Sequence, residues 1–305
     1  MRQVLIVHYS QTGQLDRLAQ SVCGPLQQHA DIQLDYLQLQ PAQPYPFPWP
    51  FLDFFRIFPE TVLMRPQPLL PLAVDASKRY DLVILAYQVW FLSPSQPMTA
   101  FLASPEAAQL LKGTPVVTLI GCRNMWLMAQ EKLKARLTEL GARLVDNIAL
   151  TDACGTAASF LATPLWLFTG RQKPYGWVPR AGIDEAEIVA ASRFGQAMAQ
   201  RLTADSLPIE QPMLSGLGAV RIDEKLIASE KVGNRSFQLW SRLLAALGPQ
   251  QSRRRAVGLV LYIVFLLCLI VTVVPLSALL KKLLAPLLKE RTQREKAYFA
   301  GPSGE

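Results

Sequence analysis

The chain predicts an α/β fold, a doubly wound five-stranded parallel sheet, from three observations. Short β-branched apolar runs recur through residues 1–203, and apolar positions spaced three and four apart fall between them. Half of the 305 residues are apolar and 18% are charged, so the chain can bury a core.

The elements follow in order. Residues 3–9 (QVLIVHY) read as a first strand, the polar turn SQTG follows, and Leu15, Leu18, Ala19, Val22 and Leu26 mark one face of a helix. Further strands are expected at 32–39, 81–87, 115–121 and 143–150, with helices near 97–103, 127–140 and 184–203. Five strands separated by helices imply a parallel sheet covered on both faces. The count of five favours the order 2-1-3-4-5, which places a ligand outside the carboxyl ends of the strands.

Residues 41–71 interrupt the alternation with nine prolines interleaved with Tyr45, Phe47, Trp49, Phe51, Phe54, Phe55 and Phe58. Proline at this density argues against a regular helix or central strand, so an apolar loop is expected, either packed on the body or serving as a lipophilic flap. Residues 159–168 (SFLATPLWLF) form a second apolar loop after the last strand. Two such loops at the ligand end favour a greasy substrate.

Beyond the body, residues 204–255 read as a linker carrying an amphipathic helix at 236–247, whose Phe237, Trp240, Leu243, Leu244 and Leu247 share a face before Gly248-Pro249. It would lie flat on a membrane or pack on the body. Residues 256–280 hold no charge across 25 positions, enough for a transmembrane or membrane-embedded helix. Fourteen Leu, Ile, Val or Phe within 257–274 outweigh Thr272 and Pro275. Residues 281–305 form a basic tail whose lysines and arginines resist translocation, which leaves a single span, a helix pair and a shallow hairpin open.

The net charge of +8 has a local origin. Residues 253–305 carry nine Lys/Arg against three Asp/Glu, leaving only +2 on the remainder. A basic cluster beside an apolar segment suits anionic lipid and argues against nucleic acid. Four dispersed cysteines and two histidines suggest no metal site. Met1-Arg2-Gln3-Val4 runs straight into a strand without a secretory signal, placing the expected body at the cytoplasmic side of the inner membrane with reduced thiols.

Three loops carry the chemistry. Ser10, Gln11, Thr12, Gly13, Gln14 and Leu15 join the first strand to the first helix, where hydroxyls and free amides would nest a phosphate or simply cap the helix. Gln88, Val89, Trp90 and Phe91 follow the third strand and offer aromatic faces and backbone amides to a planar ligand, or core aromatics under a loop. Gly121, Cys122, Arg123 and Asn124 follow the fourth, the last two as candidate polarising residues or as caps.

These residues resemble the flavodoxin and NAD(P)H-dependent oxidoreductase families. Tyr9 to Leu15 is similar to their YSxTGxT, with Leu15 in place of the final hydroxyl. Residues 80–102 resemble YDxIxxGYPxWWGxxPxPxxxFL, with Ala86 and Gln88 where the family has Gly and Pro. The opening YSQTGQL, the loop GCRNMW and the apolar C-terminal segment are also similar to the DarA-type proteins of dialkylresorcinol biosynthesis. The resemblance implies an FMN-binding, flavodoxin-like domain, with NAD(P)H or another electron donor or acceptor. It further implies a ketosynthase partner that makes a cyclohexanedione and a flavoprotein that aromatises it to a resorcinol, Arg123 and Asn124 acting at the ring edge. Condensing activity is disfavoured because no activated cysteine nucleophile is evident. A membrane-bound electron carrier or quinone reductase, and a flavin-free scaffold for the ketosynthase, are the competing readings.

Overall fold

Five parallel strands, β1 (Arg2–His8), β2 (Ile32–Gln38), β3 (Leu82–Trp90), β5 (Pro115–Cys122) and β6 (Arg143–Thr151), form the sheet in a computed structural model of the chain. It describes the backbone of residues 1–204, 209 and 211–304, and the side chains of these except 157 and 273–288. The strand order is β2-β1-β3-β5-β6. That order is flavodoxin-like. A two-residue strand, β4 (Ser93–Pro94), turns back against the end of β3.

Alternate side chains of each strand enter opposite cores, as a sheet covered on both faces requires. Val4, Ile6, Leu82, Ile84, Val117 and Leu119 pack beneath α1 (Gln14–Gln27), α8 (Glu185–Ala190) and α9 (Ser192–Thr203). Leu5, Val7, Val83, Leu85, Tyr87 and Val116 face α4 (Gln96–Leu102), α5 (Pro105–Leu111) and α6 (Leu127–Glu139). The α1 positions read from the spacing, Leu15, Leu18, Ala19, Val22 and Leu26, are all buried. The single helix expected at 184–203 is instead two, α8 and α9, meeting at Ala191.

The apolar insertions are more regular than proline content suggested. Residues 51–58 contain no proline, and they form α2 (Phe51–Arg56) and the start of α3 (Phe58–Val62). Pro50 caps α2 and Pro59 sits in the first turn of α3, where a missing N–H removes no helical bond. Residues 159–168 likewise lie in a helix, α7 (Thr156–Thr169), with Pro164 inside it. The loop expectation therefore failed at both places: in the first because the prolines stand at helix starts, and in the second because α7 keeps its helix around the interior Pro164.

The expected linker is largely structured too. Part of it, residues 205–208 and 210, lies outside the described residues. Leu214, Ala219 and Val220 are buried, and the Ala219 carbonyl accepts the Ala149 N–H from the open edge of β6 (2.8 Å). Helix α10 spans Glu224–Ala246, starting twelve residues before the amphipathic helix expected at 236. It packs on the body: Phe237 meets Phe58 and Trp240 meets Tyr262, although Leu243 and Leu247 stay exposed.

Helix α11 (Arg253–Ala300) contains the apolar segment. The Arg255 guanidinium, 3% exposed, grips the Glu60 carboxylate with both terminal nitrogens, so it belongs to the core and not to a membrane flank. Leu259, Tyr262 and Ile263 then run along α10 and α3. The far end returns to the same body. Lys231 of α10 pairs with Glu295 (3.0 Å), Phe299 enters the core below α6, and the tail ends on β6. There Ser303 Oγ donates to Asp146 Oδ1 (2.9 Å) and accepts the Asn147 N–H (2.6 Å), fully buried. The basic tail is thus part of the fold at Glu295, Phe299 and Ser303, and a single span with a free tail does not describe it. The side chains of Pro275, Lys281 and Lys282 lie outside the described residues.

Helices α1 and α9 cross at Gly195, where an added Cβ would fall 1.9 Å from the Val22 carbonyl oxygen. Gly195→Ala is expected to cost about 3 kcal/mol or more by forcing the pair apart. Gly24→Ala, where an added Cβ meets nothing within 4 Å beyond its chain neighbours, should cost far less, its helix-propensity gain offset by the following Pro25. Thermal unfolding of the two variants in the same detergent checks the contrast; equal effects would refute the crossing as described.

Candidate functional site

The carboxyl ends of β1, β3, β5 and β6 all open on one edge of the sheet, and a cavity of about 540 Å³ lies there. Its floor is made by the three loops singled out in the sequence: Gln11, Thr12, Gln14 and Leu15; Gln88, Val89, Trp90 and Phe91; and Gly121, Cys122 and Arg123. Ser10, Gly13 and Asn124 are set back from the wall.

The first loop suits an anion. Gly13 takes φ 75° at the start of α1, a left-handed conformation that a side chain would strain, and this turns the loop into the first helical turn. Ser10 Oγ is buried with no hydrogen-bond partner among the described residues, so the loop retains an unused donor. Such a group costs free energy unless something meets it. Gln14 behaves differently from its neighbours. Its carboxamide donates to the Ile183 carbonyl (3.2 Å) and accepts the Ile183 N–H (3.1 Å), so it pins the 182–183 loop and is not free for a ligand.

The second loop is tied to the first. Gln88, which stands where the resembling families have proline, accepts the Gln11 N–H on its side-chain oxygen (3.2 Å). Phe91 and Leu92 both take positive φ, 50° and 57°, a strained turn that surrounding packing must hold. Trp90 is 7% exposed and meets Tyr9, Tyr45 and Trp49 edge-on at 5.0–6.0 Å. Phe91 packs on Phe54, with ring centroids 4.6 Å apart. The proline-rich insertion is therefore the wall that fixes this loop.

In the third loop, Arg123 Nε donates to Asn124 Oδ1 (3.2 Å), and its guanidinium lies 4.1 Å from the Phe160 ring centroid on α7. Burial lowers the Arg123 pKa, opposed by the nearby Asp152 carboxylate. Asn124 reaches Ser159 of α7 (3.4 Å). Burial holds the Cys122 thiol well above its ordinary pKa, with the Glu230 carboxyl adding to the effect, so it is a poor nucleophile.

Sequence reasoning missed several members of this site. Asp152 follows β6 and lines the cavity, its carboxylate accepting the Thr163 hydroxyl (3.0 Å) and the Cys154 N–H (3.0 Å). Its place at a strand's carboxyl end was the available signal. Ile263, Leu266, Leu267 and Ile270 of α11 form one wall, which no local pattern announces. Glu230 of α10 is fully buried and accepts the Met128 N–H at the start of α6 (2.7 Å), bracing the third loop from behind.

No protein-family profile matches the chain, and no curated protein does. Solved structures do. A flavoprotein in complex with FMN from Lactobacillus acidophilus NCFM is 14% identical over 48% of this chain and 92% of its own, with TM-score 0.37. A flavodoxin from the domain Archaea is 9% identical over 67% and 100%, with TM-score 0.37. Oxidised flavodoxin 1 from Bacillus cereus is 15% identical over 49% and 85%, with TM-score 0.31. At these scores, the strand order described above is what defines the fold.

Burial pushes the Glu230 carboxyl up from 4.5 to about 8, against the lowering effect of the N–H groups of Met128 and Leu127. Between those values the folded protein keeps a proton that the unfolded chain has lost. Stability should therefore fall as pH rises from about 4.5 to about 8, by a few kcal/mol at most. Glu230→Gln should flatten that decline in denaturant titrations at pH 5.5 and 8; an unchanged slope would exclude the assignment.

Proposed function

We propose that the chain is a membrane-anchored, FMN-dependent oxidoreductase that aromatises a lipophilic cyclohexanedione to a dialkylresorcinol. The observation that carries this reading is the cavity itself, where an anion-nesting loop and a cationic side chain meet walls of aromatic and aliphatic groups, one of them supplied by the apolar helix. The first loop would hold the phosphate through Thr12 and the amides opening α1, with the unused Ser10 hydroxyl behind them. Gln88, Val89 and Trp90 would meet the flavin ring, joined by Gly121 and Cys122 from the next loop.

Aromatisation removes two hydrogens from the dione ring, one as a proton and one as hydride, and bound FMN supplies the hydride acceptor. The protein contributes orientation and charge. Phe47, Phe160, Trp166 and Phe168 line the cavity with apolar surface suited to alkyl chains. The Arg123 guanidinium, held against Phe160, would stabilise the enolate that develops as the dione loses its proton. Asp152, tethered by Thr163 and Cys154, favours the charged form of that guanidinium. A 1,3-dione is acidic enough to need no strong protein base. Electrons leave through an acceptor outside the chain, NAD(P)⁺ or another, and a ketosynthase would supply the dione.

Detergent-purified protein should carry or take up FMN, read from its flavin absorption bands, and the loaded protein should convert a long-chain alkylated cyclohexanedione to its resorcinol. Flavin-loaded protein that turns over no dione with any acceptor would overturn the assignment. Arg123→Ala should lower turnover roughly a hundredfold while the flavin bands persist. Loss of the bands instead would make Arg123 a cofactor ligand.

A further inference from the structure

Helix α11 leaves the body and comes back to it. Phe265 lies against Trp240 (ring centroids 5.1 Å), and Glu295 lies on Lys231 (3.0 Å). Trp240 and Lys231 sit nine positions apart on α10, about 14 Å along its axis, whereas thirty residues of straight helix would separate Phe265 from Glu295 by about 45 Å. Two side-chain contacts cannot close that gap, so the helical segment between them must bend back. The docking of Phe299 and Ser303 on the body sets the same requirement independently.

The excursion, from about Leu267 to Arg291, is too short to cross a membrane twice. Two arms of about 13 residues reach about 20 Å each, against about 30 Å of hydrocarbon. Its outgoing face is nevertheless built for lipid. Val260, Val264, Leu267 and Val271 are exposed along it, the last at 73%. Exposed arginines stand at both ends, Arg253 and Arg254 before it and Arg291 and Arg294 after it, where anionic headgroups would complement them.

The same helix roofs the cavity through Ile263, Leu266, Leu267 and Ile270. Beside it α2 exposes Phe51 and Leu52, and Phe51 rests on Phe168 of α7 (5.1 Å). The apolar patch is therefore continuous from α11 across the cavity rim.

We infer that α11 is a re-entrant anchor lodged in the near leaflet of an anionic bilayer, and that the rim formed by α2 and α11 dips into that leaflet. The cavity then opens onto acyl chains, and its ligand enters sideways from the lipid. This inference rests on the membrane part of the function proposed above and is independent of the flavin chemistry.

Three measurements on the full chain test it. First, the chain should float with phosphatidylglycerol vesicles in a density gradient; a chain left at the bottom overturns membrane insertion altogether. Second, Ala297→Cys on α11 and Gln109→Cys on α5, each in a background with Cys154 and Cys268 replaced by Ser, should both react with a membrane-impermeant maleimide in sealed vesicles whose bodies face outward. Labelling of Ala297→Cys only after detergent would establish a span and overturn the hairpin. Third, a phosphatidylcholine bearing a diazirine on its acyl chain should crosslink peptides containing Phe51 and Leu52 as well as Val264 to Val271. Adducts on α11 alone would overturn the lipid-facing entrance. None of the three readouts depends on bound flavin or turnover, so a failed aromatase assay leaves them informative.

Discussion

A parallel sheet imposes a constraint on everything built upon it: each strand must be re-entered from the same end, so all strand-to-helix loops gather along one edge. In this chain that edge holds the loop that opens α1 at Gly13, the strained Trp90-Phe91-Leu92 turn, Arg123 and Asp152. Successive strand residues are consumed alternately by the two cores, and the loops are left for chemistry. What distinguishes this chain is how the edge is closed. The Pro/aromatic insertion and α7 wall it in, and α11 lies across the top.

The closure depends on polar ties inside apolar surroundings. Arg255 and Glu60 seat the start of α11, and Ser303 with Asp146 and Asn147 seats its end. A pair as buried as Arg255 and Glu60 contributes modestly to net stability, but removing one partner strands the other. Such ties specify where the helix sits more than how tightly. The same holds for Glu230, whose carboxyl spends burial free energy to hold the start of α6 and with it the third loop.

In the proposed arrangement a single apolar helix would be both anchor and cavity wall, linking localisation to chemistry. Alkyl groups buried in the cavity and alkyl groups in a bilayer have similar environments, so little hydrophobic free energy opposes passage between them. A water-facing mouth would impose that cost on each transfer. The short polar inventory of the site, Thr12, Gln88, Arg123 and Asp152, is then reserved for orientation and charge.

The strands, their order and the three loops were legible in the residues, because apolar periodicity and β-to-α turn chemistry are local. Leu15, Leu18 and Val22 announced a buried helical face, and the 10–15, 88–91 and 121–123 loops converge where a parallel sheet must place them. Helix α2 was misread as loop because proline count was weighed above proline position, and α7 because its short apolar run with an interior Pro164 shows no helical period. Ser10 and Arg123 could be nominated from sequence, whereas the diversion of Gln14 to Ile183 and the bracing by Glu230 could not. Sequence alone determined the sheet, its ligand edge and an apolar segment able to enter a membrane. Tertiary structure alone decided that this segment doubles back, roofs the cavity and brings Ser303 home to β6, since contacts between residues 156 positions apart leave no periodic trace in the chain.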